Sequence, residues 1–170
     1  DINETLECWE IALKTTNAPS AIALSRQKLP YINKNFSEAN KCEKGAYVVN
    51  ITSHDYKTIL VASGSEVELA LNVQKTLLQN RIESKVISMP CMELFDRQSE
   101  EFKKEILDDD CLIVTIEASE TSSWNKYLKN KGISIGLDRF GESAPYKDIY
   151  RELNLSEEKI VAQIQNKIRN

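Results

Sequence analysis

Arg26 follows the short apolar run "AIAL" within "AIALSRQKLP", positions 21–30. A guanidinium is a fixed fork of N–H donors that matches a phosphate dianion and stays charged at any working pH. Just past a strand end, it suits either an anionic ligand or a surface salt bridge. Other chemistry-bearing residues are scarce. His54, in the polar stretch "TSHDYK", is the only histidine, so a Ser/His/Asp triad would rest on it alone and a zinc site lacks its usual ligand set. Cys8, Cys42, Cys91 and Cys111 show no C-x-x-C spacing and read as reduced thiols of a cytosolic protein.

Three further stretches lie where a ligand could bind. "ASGSEVE" leads an apolar run into a helical pattern, and backbone N–H groups at such a junction can hold an anion. It lacks both G-x-x-x-x-G-K-[ST] and G-x-G-x-x-G, while Ser65 followed by Glu68 forms the pattern of a capping box. "IEASETSSW" sets Glu117 and a group of hydroxyls after another apolar run. Glu117 suits a base or a binding group there, and Ser119 or Thr121 suits a helix cap. In "DRFGESAP", Gly141 permits a bend, Ser143 can cap, and Pro145 fits the first turn of a helix. The acidic run "LDDDC" precedes its apolar run instead of following it, so the acidic pair of a phospho-accepting signalling domain is not formed.

The elements that must position these residues follow from hydrophobic periodicity. Asp1 to about Thr15 reads as a helix, with Leu6, Trp9, Ala12 and Leu13 at helical spacing. "NAPS" ends it, and "AIAL" reads as a short strand. From Pro30 to Gly45 the sequence turns polar and loses its period, as a linker does. Strands then follow in "GAYVVN", "KTILVAS", "SKVIS", "CLIVTIEA" and "ISIGL". Helices alternate with them: one carrying Val67, Ala70, Leu71, Val73 and Leu77 inward and Glu66, Glu68, Asn72 and Lys75 outward, one in "SEEFKKEIL", and a short one from Trp124 to Lys129. Two helices close the chain, the last with Ile160, Val161, Ile164 and Ile168 as its buried stripe. This alternation predicts an α/β fold, a three-layer α/β/α arrangement around a mostly parallel sheet of about five strands. Residues 46–170 can bury a core of their own, whereas one helix and one strand cannot.

Composition narrows the classes of function. The chain has 170 residues and a net charge of −4, with 41% hydrophobic and 28% charged residues. An acidic chain without a basic run interleaved with aromatics does not fit a nucleic-acid binder. Its apolar runs are strand-sized, far below the roughly 20 residues that cross a bilayer. The opening "DINETLECWE" is no signal peptide, and without an initiator Met it reads as a piece cut from something larger.

"NETLECW", "SRQKLP", "ILVASGSEVELALNVQKTLLQNRIESKVISMPCMELFDRQS" and "RFGESAP", in that order, resemble the C-terminal portion of transketolases, with a dihydroxyacetone synthase-like relative as the alternative. The resemblance implies residues 1–31 as the tail of a pyrimidine-binding domain, 32–45 as a linker and 46–170 as the C-terminal α/β domain. It implies two-carbon ketol transfer between sugar phosphates of the pentose phosphate pathway by a cytoplasmic homodimer, with thiamine diphosphate and a divalent cation, Mg or Ca. Arg26 occupies the position whose arginine contacts substrate phosphate in that family. The resemblance brings no catalytic, cofactor-binding or metal-binding residue onto this chain, so the chain alone is expected to be inactive and to support the dimer. The crevice outlined by Gly64, Glu117 and Gly141 is then an inherited ligand site. A small-anion-binding or regulatory α/β module is the alternative reading of that crevice.

Overall fold

The computed structural model describes residues 1–32, 39–129 and 132–169. The first helix, α1 (Ile2–Lys14), starts where expected, with Asp1 as N-cap accepting from the Glu4 N–H at 3.1 Å. The other Asp1 carboxylate oxygen accepts from the Ile32 N–H at 2.8 Å, so the chain returns to the helix start. Between them, "AIAL" is not a strand. A strand is defined by a partner's hydrogen bonds, and no described strand lies alongside it. Part of the expected linker, residues 33–38, lies outside the described residues. Its end is structured: Lys41–Lys44 form a 3-10 turn that Gly45 closes with a left-handed φ of 82°.

The described residues then form a five-stranded sheet in the order β1 (Tyr47–Ile51), β3 (Ser84–Ser88), β2 (Thr58–Ala62), β4 (Leu112–Ile116), β5 (Ile133–Ile135). β1 pairs antiparallel with β3 at one edge, and the remaining pairs are parallel. The mostly parallel α/β architecture is therefore as expected. β2 and β3 are buried along their whole length, because helices cover both faces and alternate side chains point to opposite layers. On one side Leu60, Ala62, Val86, Val114 and Ile116 pack with residues of α2 (Glu66–Gln79) and α7 (Glu157–Arg169). On the other, Ile59, Val61, Ile87 and Ile113 meet Phe95 of α3 (Met92–Asp96), Ile106 of α4 (Glu100–Ile106) and Tyr127 of α5 (Asn125–Leu128). Helix α6 (Tyr146–Glu152) follows the exposed "DRFGESAP" loop. Each buried Val, Leu or Ile contributes about 1.5–3 kcal/mol before entropy is subtracted.

Several local expectations are corrected. Ser65 and Glu68 form no capping box: Ser65 is already helical and its hydroxyl donates to Glu66 instead. Glu66, expected outward, is 2% exposed, because α6 folds over the start of α2. Ile168, expected in the buried stripe of α7, is exposed near the helix end, beyond the reach of the sheet. Pro145 precedes α6 as its N-cap, and no side chain caps that helix. Ser119 and Thr121 cap nothing themselves. Asp138 does that work, accepting from the Thr121 N–H at 3.0 Å and from its hydroxyl at 2.8 Å.

Candidate functional site

Arg26 sits at a bend, exposed, and makes no ion pair or hydrogen bond among the described residues. Its position follows from the chain before it. "NAPS" stops α1, and an irregular, largely exposed stretch carries the backbone to Arg26 before it turns back to Ile32. A guanidinium held this way has all its donors available, which is what a phosphate ligand requires.

The second place lies beyond the carboxyl ends of β2 and β4. The Ser63 hydroxyl donates to Glu117 Oε2 at 2.6 Å, tying the loops after two neighbouring strands together. Glu66, at the start of α2, lies beside Glu117 and accepts hydrogen bonds from the Ser65 hydroxyl at 2.9 Å and from the Tyr150 hydroxyl on α6. Burial, then the neighbouring Glu66 carboxyl, push the Glu117 pKa up to about 8. Two acids this close cannot both ionise cheaply, so near neutrality Glu117 keeps its proton. Burial and the bond to Glu66 likewise raise the Tyr150 hydroxyl. The result is a clasp between α2, β4 and α6. It fills the helix start with carboxyls, where an anion would otherwise bind, and this chemistry disfavours the anion-module reading.

The structure thus brings Glu117 and the neighbours of Gly64 together but leaves Gly141 apart, in an open, exposed loop. His54 is exposed in a turn. Among the described residues no group of three or more His, Cys, Asp or Glu side chains converges to hold a metal ion. No described helix is long and apolar enough to cross a membrane.

Glu4, Glu66 and Tyr150 are the organising residues that sequence reasoning missed. Glu4 is 8% exposed and accepts from the Tyr47 hydroxyl at 3.0 Å and from the Ser88 hydroxyl, docking α1 onto the edge of the sheet. The helix docks by this polar face, while Leu6, Trp9 and Leu13 stay exposed at 61%, 49% and 76%. An acidic residue in a first helical turn ordinarily signals solvent and a favourable dipole, so nothing in the sequence marks Glu4 as an anchor.

Comparison with known proteins gives this geometry its context. A family model described as the transketolase-like TK C-terminal domain matches residues 45–156. The transketolase of Rhodobacter capsulatus is 38% identical over 98% of this chain, and that of Bacillus subtilis 40% identical over 96%. The chain spans about a quarter of those relatives' length, 26% and 25% respectively. A transketolase from Pichia stipitis, solved in complex with sedoheptulose 7-phosphate, superposes with a TM-score of 0.90 at 33% identity. That match covers 99% of this chain and 24% of the other. Because the likeness runs through α1 and the Arg26 bend as well as the sheet, this chain belongs to the transketolase family.

Proposed function

We propose that this chain works as the C-terminal part of a cytoplasmic, homodimeric transketolase that moves two-carbon ketol units between sugar phosphates of the pentose phosphate pathway. Residues 1–31 then end the pyrimidine-binding domain, 32–45 link, and 46–170 form the C-terminal domain. Arg26 binds the substrate phosphate. The single observation that carries this role is an exposed guanidinium, unpaired among the described residues, on a bend within a match that spans nearly the whole chain. The related Pichia stipitis enzyme in complex with a sugar phosphate supplies the ligand class.

Transketolases use thiamine diphosphate with a divalent cation, which supplies the carbanion chemistry of ketol transfer when bound. The described residues do not fit that group. No set of three acidic, thiol or imidazole side chains converges on a cation, and the hydrogen-bonded carboxyls of Glu66 and Glu117 already occupy the helix start where a diphosphate would have to sit. This chain's part is to bind and orient the anionic end of the sugar, and alone it is inactive.

The test is Arg26→Ala in the whole transketolase polypeptide. Losing a charge-assisted contact costs about 1.5–3 kcal/mol, or roughly ten- to a hundred-fold in kcat/KM. Most of the loss is expected in KM for phosphorylated sugars, with a smaller fall in kcat. Unchanged kinetics would remove Arg26 from the site.

A further inference from the structure

Helix α1 is fastened to the 3-10 turn at one patch, and that patch holds two thiols. The Asn40 side-chain amide donates to the Glu7 carbonyl at 2.9 Å and to Glu10 Oε2 at 2.8 Å. The Cys42 N–H donates to Glu7 Oε2 at 3.1 Å. The Cys42 sulfur lies 4.0 Å from the Glu4 carbonyl oxygen, and with its N–H on Glu7 this sets Cys42 against the face of α1 that carries Cys8, one helical turn beyond Glu4, close enough for each thiol to shift the protonation of the other. The two sulfurs are unequal. Cys42 is 1% exposed, while Cys8 is half-buried.

We propose that Cys8 and Cys42 are a redox-responsive pair, which a small disulfide oxidant converts into an intramolecular bond stapling α1 to the turn. The Cys8 thiolate attacks the oxidant, RSSR, forming a mixed disulfide and expelling RS⁻. Cys42 then gives up its proton and attacks the Cys8 sulfur, expelling the second RS⁻. Two cysteine thiols are oxidised, one RSSR is reduced to two RSH, and no other reagent is consumed. The protonation pattern suits these roles. The neighbouring Cys42 thiol lowers the Cys8 pKa against burial and the nearby Glu4 and Glu7. Cys8, together with burial, raises that of Cys42. Cys91 and Cys111 are both raised chiefly by burial, and neither has a thiol among the groups that set its protonation. The pair joins the two flanks of the segment that carries Arg26, so its oxidation fixes the placement of that segment against the sheet domain. The inference is independent of what Arg26 binds.

The reduced chain is treated with oxidised glutathione, quenched by alkylation and digested with trypsin. Expected is a cross-link between peptide 1–14 and peptide 42–44, with loss of two of the four alkylatable thiols and recovery on adding dithiothreitol. In Cys42→Ser, Cys8 retains glutathione. In Cys8→Ser, the buried Cys42 stays unmodified. Amide exchange across residues 2–14 slows on oxidation of the wild-type chain. The proposal is overturned if wild-type Cys8 holds glutathione stably beside a free Cys42, if the bond forms only between chains, if both thiols remain alkylatable, or if exchange across α1 is unchanged by oxidation.

Discussion

Replacing Glu117 with Gln removes one titrating proton from the clasp while keeping a hydrogen-bond donor for Glu66 and an acceptor for Ser63. Glu117 rises from 4.5 to about 8 on folding. Between those values the folded chain holds a proton that the unfolded chain has released, so stability falls as pH rises through that window. From about pH 6 to about pH 9 such a shift is worth about 2.7 kcal/mol. Glu117 is only partly buried, and solvent screening trims this to about 1–2 kcal/mol. Urea unfolding of the wild-type chain and of Glu117→Gln, followed at both ends of this range, measures the difference. The wild-type chain is expected to lose about 1–2 kcal/mol more than the variant on going alkaline, making the variant the more stable at the upper end. Parallel pH profiles for the two proteins would show that Glu117 does not hold the proton, and the reasoning would fail.

Other outcomes follow from the same contacts. Glu4→Ala removes the carboxyl that accepts from the Tyr47 and Ser88 hydroxyls and should cost about 1–3 kcal/mol, read as faster amide exchange along α1 with the sheet unaffected. Gly45→Ala forces a Cβ to within 2.3 Å of the Cys91 carbonyl oxygen at a φ of +82°. A loss of at least ~2 kcal/mol in thermal or urea unfolding is expected. The exposed Leu6, Trp9 and Leu13 face should drive self-association of the isolated chain, which Leu13→Glu should weaken in sedimentation velocity. Titration calorimetry of the chain with sugar phosphates, nucleotides and 2-oxo acids should give no binding that depends on Ser65 or Glu117, because carboxyls already occupy that helix start.

Much of the architecture was legible because it is written in short-range pattern. The continuous apolar runs "TILVA" and "LIVTI" can be soluble only as strands covered on both faces, and they are β2 and β4. The period of Val67, Ala70, Val73 and Leu77 places one side of α2 on the sheet. The short α3 in "MELFD" went unread, since five residues carry little period. "AIAL" misled for a different reason: four apolar residues have strand composition, but pairing needs a neighbour that composition does not name.

The sequence by itself determined the α/β class, the layering of the sheet and the family likeness, but set Arg26 past a strand that does not form. Those rest on periodicity and residue order, which act between positions close in the chain. Only the tertiary structure decided that α1 docks by Glu4 and Glu7 and not by its apolar stripe, that Glu66 is buried against Glu117 and Tyr150, and that Cys42 comes up against the turn of α1 that carries Cys8. A buried carboxyl or thiol is tolerated only where particular partners arrive from distant positions, and those arrivals are set by the packing of whole elements.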